Sequence, residues 1–205
     1  MDINTLIYFF TASVLLTIAP GPDNMYLLAK SLASGTKSGV ALSAGLASGI
    51  VFHTTLVILG VAALIQSSPA AFTALKFVGA AYLLYLAWKA FKEKGELQLG
   101  ETGESIPYGA IYRRGVLMNV LNPKVQLFFF AFLPQFVDTA SDNMAIHIAI
   151  LGAIFAVQAF SIFSLLALCA GKVRSFILKA KNLNRILGIV QGVVLTGIAL
   201  AILLT

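Results

Sequence analysis

The sequence predicts an all-α polytopic membrane protein: six transmembrane helices as two inverted three-helix repeats, with helices 1 and 4 broken at proline motifs. Three observations lead there. The 205-residue chain is 59% hydrophobic and only 11% charged, with a mean hydropathy of +0.93, whereas soluble domains carry roughly 25% charged residues. A span needs about 20 apolar residues, so there is room for about six with short connections. The polar residues, finally, interrupt the apolar runs in a pattern that repeats between the two halves.

The first span covers about 3–28 and contains Ala19-Pro20-Gly21-Pro22-Asp23-Asn24. Each proline lacks a donor and clashes with the preceding turn, so a continuous helix through this point is not expected. A short polar connection over 34–39 leads to span 2, about 40–65. There Ala41, Gly45 and Gly49 form a small-residue ridge of the kind that lets helices approach closely. Gln66-Ser67-Ser68-Pro69 reads as a turn into span 3, about 70–91, which ends in Tyr82, Tyr85 and Trp88 beside Lys89 and Lys92. That grouping suits a headgroup interface. Residues 93–112 are the one long polar stretch and read as a flexible loop between repeats of about 1–92 and 110–205, the whole forming a single transmembrane domain. Span 4, about 113–136, is interrupted by Asn122-Pro123-Lys124. A short acidic loop with Asp138 and Asp142 precedes span 5, about 144–170. A basic connection precedes span 6, about 186–204, with Gly188 and Gly192.

Twelve of the 14 basic residues fall in connections on one side of this scheme: Lys30 and Lys37; Lys89, Lys92, Lys94, Arg113 and Arg114; Lys172, Arg174, Lys179, Lys181 and Arg185. The opposite connections hold none. Positive loops stay in the cytoplasm, so both termini are expected outside. The same rule accounts for the net charge of +6 without nucleic acid, for which no basic patch interleaved with exposed aromatics exists. Met1-Asp2-Ile3-Asn4 lacks the positive start of a secretory signal, so the first segment is expected to remain as a span. The single cysteine, Cys169, excludes an intrachain disulfide and reads as a packing residue.

Interrupted helices at corresponding places in two inverted halves point to a transporter's binding site; the plain alternative is a pair of packing kinks. Aligning Pro22 with Pro123 sets Asp23 opposite Lys124. Charges inside spans are costly and tend to pair, so the two are expected near one another beside a cavity. There the ammonium of an amino acid would meet Asp23 and its carboxylate Lys124. Asp23 is the one acidic residue within a span, which makes it the leading proton carrier, with a static salt bridge as the alternative. His53, in the middle of span 2, is either a proton relay or a helix-to-helix hydrogen bond. Asn119, Asn122 and Gln126 follow at helical spacing and are expected to line the cavity. Gln158 and Gln191 are weaker candidates of the same kind. Lys76 is expected to snorkel, and His147 with Phe128-Phe129-Phe130 to serve the interface and lipid contact. No GxxxxGK[ST] loop, HExxH, Cys/His cluster or GxSxG elbow is present, so neither enzyme chemistry nor a cofactor is expected.

These motifs resemble the lysine exporter superfamily, and within it the homoserine/threonine-resistance branch of bacterial amino-acid exporters. The matching residues are Ala19-Pro20-Gly21-Pro22-Asp23-Asn24, the Lys30…Gly35…Gly39 region and Gly79-Ala80-Ala81-Tyr82-Leu83-Leu84-Tyr85-Leu86. Asn119…Asn122-Pro123-Lys124 and Phe132-Leu133-Pro134-Gln135-Phe136 complete the set. The resemblance implies a proton-driven secondary exporter of amino acids in the bacterial plasma membrane. Its Pro-Gly-Pro-Asp form points to neutral cargo. On this reading Pro20, Gly21, Pro22 and Pro123 shape the substrate site. Asp23, Asn24, Asn119, Asn122, Lys124 and Gln126 contact cargo, and Asp23 and His53 handle protons. The alternative is a cation or metal-ion exporter, for which Asp23 and His53 are the two strong ligands in the spans. The glycine ridges leave open whether they pack within one chain or join a homodimer.

Overall fold

A computed structural model of the chain describes residues 2–61, 64, 68–92, 106–137, 143–172 and 183–204. Helix α1 (Ile3–Ile18) starts at Asp2, whose side chain accepts from the backbone N–H of Asn4 at 3.0 Å, an N-cap that satisfies one of the open donors. It stops at Ala19, immediately before Pro20, because the residue ahead of a proline is pushed out of helical geometry. Helix α2 (Pro22–Ser34) begins with Pro22 in its first turn, where a missing N–H costs nothing. The two helices meet at 57°.

Gly35 alone joins α2 to α3 (Thr36–Leu56). Its φ of 82° lies in the left-handed region that glycine tolerates. The polar connection expected over 34–39 thus shrinks to one residue, and Lys30 belongs to α2, largely buried. Helix α3 runs on through a π turn at Val57–Val61. Helix α4 (Pro69–Lys92) follows. Helix α5 (Tyr108–Val120) starts after Pro107, so the loop expected to reach residue 112 ends earlier and Arg113 and Arg114 lie on a helix. Helix α6 (Pro123–Leu127) continues as a π turn, Phe128–Phe132, and a 3-10 turn, Leu133–Phe136. It meets α5 at 51°. Helices α7 (Met144–Leu168) and α8 (Leu183–Leu204) complete the order. Both bent spans exceed their expected lengths for one reason: a helix rises 1.5 Å per residue only along its own axis, so a bend needs more residues to cover the same height.

Among the described residues the chain is helical, with no strand. Four helices are individually long and apolar enough to cross a membrane, and counting each bent pair as one span gives six. Large apolar side chains such as Tyr8, Leu59, Val78, Leu117 and Leu165 are exposed around the outside, as expected where lipid rather than water is the solvent. The expected turn at Gln66-Ser67, the loop over 93–105, the Asp138/Asp142 loop and the basic connection over 173–182 lie outside the described residues.

The glycine ridges set the packing. A Cβ at Gly45 would collide with the backbone carbonyl of Tyr112, and one at Gly49 would come within 2.7 Å of Asn119. Gly115 faces back onto Leu42 and Gly45, so α3 and α5 touch backbone to backbone. In the second ridge Gly188 of α8 meets the backbone carbonyl of Ala90 and Gly192 the ring of Phe91, both of α4. Both ridges are filled within the chain.

Phe128 and Phe129, expected at the lipid face, are fully buried instead. Phe128 packs against Phe9 of α1 (ring centroids 5.8 Å apart) and Phe155 of α7 (5.3 Å); Phe129 also meets Phe155 at 5.2 Å. The segment that carries them is a π turn. It changes the angular spacing of successive side chains, and here both rings face the seam with α1 and α7.

Candidate functional site at the paired helix breaks

The two breaks lie against each other. Each leaves backbone groups without intrahelical partners, and the way those groups are satisfied defines the site. At the second break the chain caps itself. Asn122 Oδ1 accepts from the backbone N–H of Lys124 at 3.0 Å, closing the start of α6. Gln126 Nε2 donates back to the carbonyl of Val120 at 2.7 Å, closing the end of α5.

The first break has one such device: Asn24 Nδ2 donates back to the Thr17 carbonyl at 3.0 Å. Gly21 precedes α2 without a side-chain cap, and the last turn of α1 ends in open carbonyls. Leu16 O and Ala19 O are met from the other half. Lys124 Nζ donates to Leu16 O and Ala19 O, each at 3.1 Å, from more than a hundred residues away. An ammonium at the negative end of a helix is well placed, and Lys124 is buried there. Gly21 is what admits it: a Cβ at that position would sit 3.3 Å from Nζ. Beside it, Asn122 Nδ2 donates to Asp23 Oδ2 at 2.6 Å. Asp23 and Lys124 therefore come together as expected but take different partners. Their charges attract across the break, while Asn122 stands on the carboxylate and the α1 carbonyls on the ammonium.

The remaining candidates divide by direction. Asn24 is buried and donates through Nδ2 to Thr17 O at 3.0 Å. Pro20 and Gly21 are buried, Pro123 half-buried and Pro22 exposed. The expected polar face of Asn119, Asn122 and Gln126 is interrupted, because helical spacing does not carry across the break after Leu121. Asn119 turns to α3, its side chain packed on Gly49 and its carbonyl hydrogen-bonded to His53 Nε2 at 3.1 Å. A carbonyl only accepts, so Nε2 carries the proton in that contact, and the buried Nδ1 has no hydrogen-bond partner. His53 is fully buried, with Phe129 and Phe130 rings 5.7 and 6.2 Å away. On the same side of the break, the Arg114 guanidinium lies 4.3 Å from the Tyr26 ring, joining α5 to α2.

Two buried residues of α1 escaped the sequence reading. Ser13 and Thr17 sit one turn apart, and Thr17 Oγ1 donates to Ser13 O at 2.9 Å. Gln158 of α7, also buried, reaches Thr17 Oγ1 at 2.9 Å and Ser13 O at 3.4 Å. The four-residue spacing was visible. Its significance was hidden, since Ser and Thr commonly satisfy themselves on the preceding helical turn.

Comparison with known proteins gives a consistent family. A family described as LysE type translocator matches residues 14–205. A protein of Vibrio cholerae serotype O1 named "Uncharacterized membrane protein" is 33% identical over 143 residues, covering 70% of each chain. A "Leucine efflux protein" of Salmonella choleraesuis is 29% identical over 195 residues, covering 93% of this chain and 91% of its own. The "Leucine efflux protein" of Salmonella typhimurium matches to the same extent. No solved structure matches significantly.

Proposed function

The chain belongs to the LysE type translocator family, and from that premise we propose that it is a secondary exporter of neutral amino acids. Leucine or a close analogue is its first candidate cargo. Proton influx drives it, the bacterial plasma membrane holds it, and its mechanism is alternating access. The leucine efflux relatives support the amino-acid cargo. The observation that carries the site is the cross-capping of the first break by the second: Lys124 on Leu16 O and Ala19 O, Asn122 on Asp23.

Interlocked breaks form a two-state element. A cargo carboxylate competes with the α1 carbonyls for Lys124, because a charge-assisted hydrogen bond to an anion is stronger than one to a neutral carbonyl. Drawing Lys124 away uncaps α1 and loosens the two halves. Asp23, parted from Asn122 by the same shift, is the carboxylate that takes the proton, with His53 as relay through its open Nδ1. The aromatic cluster of Phe9, Phe128, Phe132, Phe136 and Phe155 closes the outer side.

Two inverted repeats fit this scheme. The bends are similar, 57° and 51°, and α3 packs on α7 as α4 packs on α8, joining helices at equivalent places in the two halves. With the basic connections in the cytoplasm, both termini lie outside. Metal cargo finds less support: among the described residues no three of His, Cys, Asp and Glu gather into a cluster.

The test is efflux from proteoliposomes loaded with labelled amino acids under an imposed pH gradient. Leucine should leave in a gradient-dependent, saturable manner. Equal, gradient-independent leak of every compound would overturn the reading.

A further inference from the structure

Resting on the amino-acid reading above, we propose that Asn24 Oδ1 and Gln158 Oε1 form a neutral subsite for the ammonium group of the cargo. Both oxygens are buried and have no hydrogen-bond partner, on side chains only 4% and 6% exposed. Buried amide oxygens are ordinarily paired, so two around one residue call for a missing donor.

Neither oxygen escapes by rotating its amide. Asn24 Nδ2 points at Thr17 O, a backbone carbonyl that offers no proton. Exchanging nitrogen and oxygen there would set two acceptors against each other. Gln158 Nε2 faces Ser13 O and Thr17 Oγ1. The threonine hydroxyl gives its proton to Ser13 O, and exchanging nitrogen and oxygen on Gln158 would set its Oε1 against that carbonyl and turn the hydroxyl away from it. Both amides are thereby locked with nitrogen on Thr17 and oxygen left over. Asn24 hangs from the carbonyl of Thr17 and Gln158 from its hydroxyl, one from α2 and the other from α7, beside the end of α1 at the first break.

A group that satisfies both must donate at least twice, and it enters beside Asp23 and beside Leu16 O and Ala19 O, the carbonyls that Lys124 leaves when the cargo carboxylate draws it away. A primary ammonium has three donors and a positive charge suited to that surrounding. It differs from Lys124 in coming and going with the cargo. The arrangement also separates the roles at the breaks, the carboxylate of the cargo drawing on Lys124 while its ammonium settles on Asn24 and Gln158. Both oxygens are closed to solvent in this state, so the cargo reaches them as the breaks part.

The experiment compares leucine with its 2-hydroxy analogue, which keeps the carboxylate and side chain but lacks the ammonium. Both are measured as competitors of labelled leucine efflux in proteoliposomes of the full chain, with and without sodium. The wild type should prefer leucine at least tenfold. Gln158→Leu and Asn24→Leu should weaken leucine about tenfold or more and leave the hydroxy acid nearly unchanged, so that the preference collapses. Gln158→Glu, which returns an acceptor, should restore it relative to Gln158→Leu. Thermal unfolding in detergent checks that each variant is folded; should Gln158→Leu not fold, Gln158→Glu against Gln158→Met carries the same comparison. Leucine efflux with the preference intact in Gln158→Leu would overturn the subsite while leaving the exporter standing. A wild-type sodium dependence abolished in Gln158→Leu, with the preference unchanged, would assign the oxygens to a metal cation and overturn it too. A wild type that moves no amino acid would remove the exporter reading and the subsite together.

Discussion

The two helix breaks occupy equivalent places in their halves, yet they are chemically opposite. The second carries its own caps, Asn122 for the start of α6 and Gln126 for the end of α5. It still has donors to spare, Asn122 Nδ2 and Lys124 Nζ. The first closes one of its own carbonyls, Thr17 O through Asn24, and leaves Leu16 O, Ala19 O and Asp23 Oδ2 to be met by the second. One break is self-sufficient, and the other is finished by its counterpart. A duplicated fold with identical breaks would have two closed sites and no reason to couple them. This asymmetry makes the contact between halves part of the helix termination itself, so the halves cannot part without uncapping α1.

The largest expected effect removes that contact. Lys124→Met should cost about 3 to 5 kcal/mol, the range for stripping one partner from a buried charged group, and should abolish efflux; thermal unfolding and proteoliposome transport read the two. The charge exchange Asp23→Lys/Lys124→Asp should be as inactive as either single change. A carboxylate at 124 would face the α1 carbonyls, acceptor against acceptor. Recovery to near wild-type rates would mean that the two charges bond directly, and the account of opposite breaks would fall.

Phe128→Ala probes the segment just beyond the second break. As a buried ring it should cost about 3 to 5 kcal/mol, seen as a lowered unfolding temperature. A lipid-facing ring would leave that temperature almost unmoved.

A finer cut separates the two tasks of Asn122. Asn122→Ser keeps an N-cap oxygen for α6 but drops the donor to Asp23. The loss should be about 1 to 3 kcal/mol, as for a hydrogen bond to a charged group, with transport reduced about tenfold and the helix content by circular dichroism unchanged. Loss of helix content would show that the cap, not the tie to Asp23, dominates.

The smallest effect belongs to Gln126→Ala, which opens one carbonyl at the end of α5 near enough to the break for water to serve it. About 0.5 to 1.5 kcal/mol is expected, with efflux largely retained. A transport loss comparable to that of Lys124→Met would place Gln126 in the cargo path and show that the second break is not self-sufficient.

Much of this was legible in the chain. Proline geometry is local, so Pro20-Gly21-Pro22 and Asn122-Pro123-Lys124 mark where helices end whatever surrounds them. Gly45 and Gly49 advertised a close approach, and α5 makes it. The clustering of Asp23, Asn122 and Lys124 followed from matching the halves. What stayed hidden depends on hydrogen-bond direction between distant segments. Nothing in the spacing of Asn119, Asn122 and Gln126 told that the first would turn to His53, the second to Asp23 and the third to Val120. Ser13 and Thr17 looked self-satisfied until Gln158 and Asn24 arrived from other helices.

By itself the sequence determined the solvent, the number of apolar segments long enough to span it, and the two points at which a helix must stop. Each of these follows from side-chain hydropathy or from a ring that removes a backbone donor, and neither needs a neighbour. Only the tertiary structure decided who answers the open groups at those stops. An orphan carbonyl specifies that a donor is required but not which one, and Lys124 became that donor because the second break was packed within its reach.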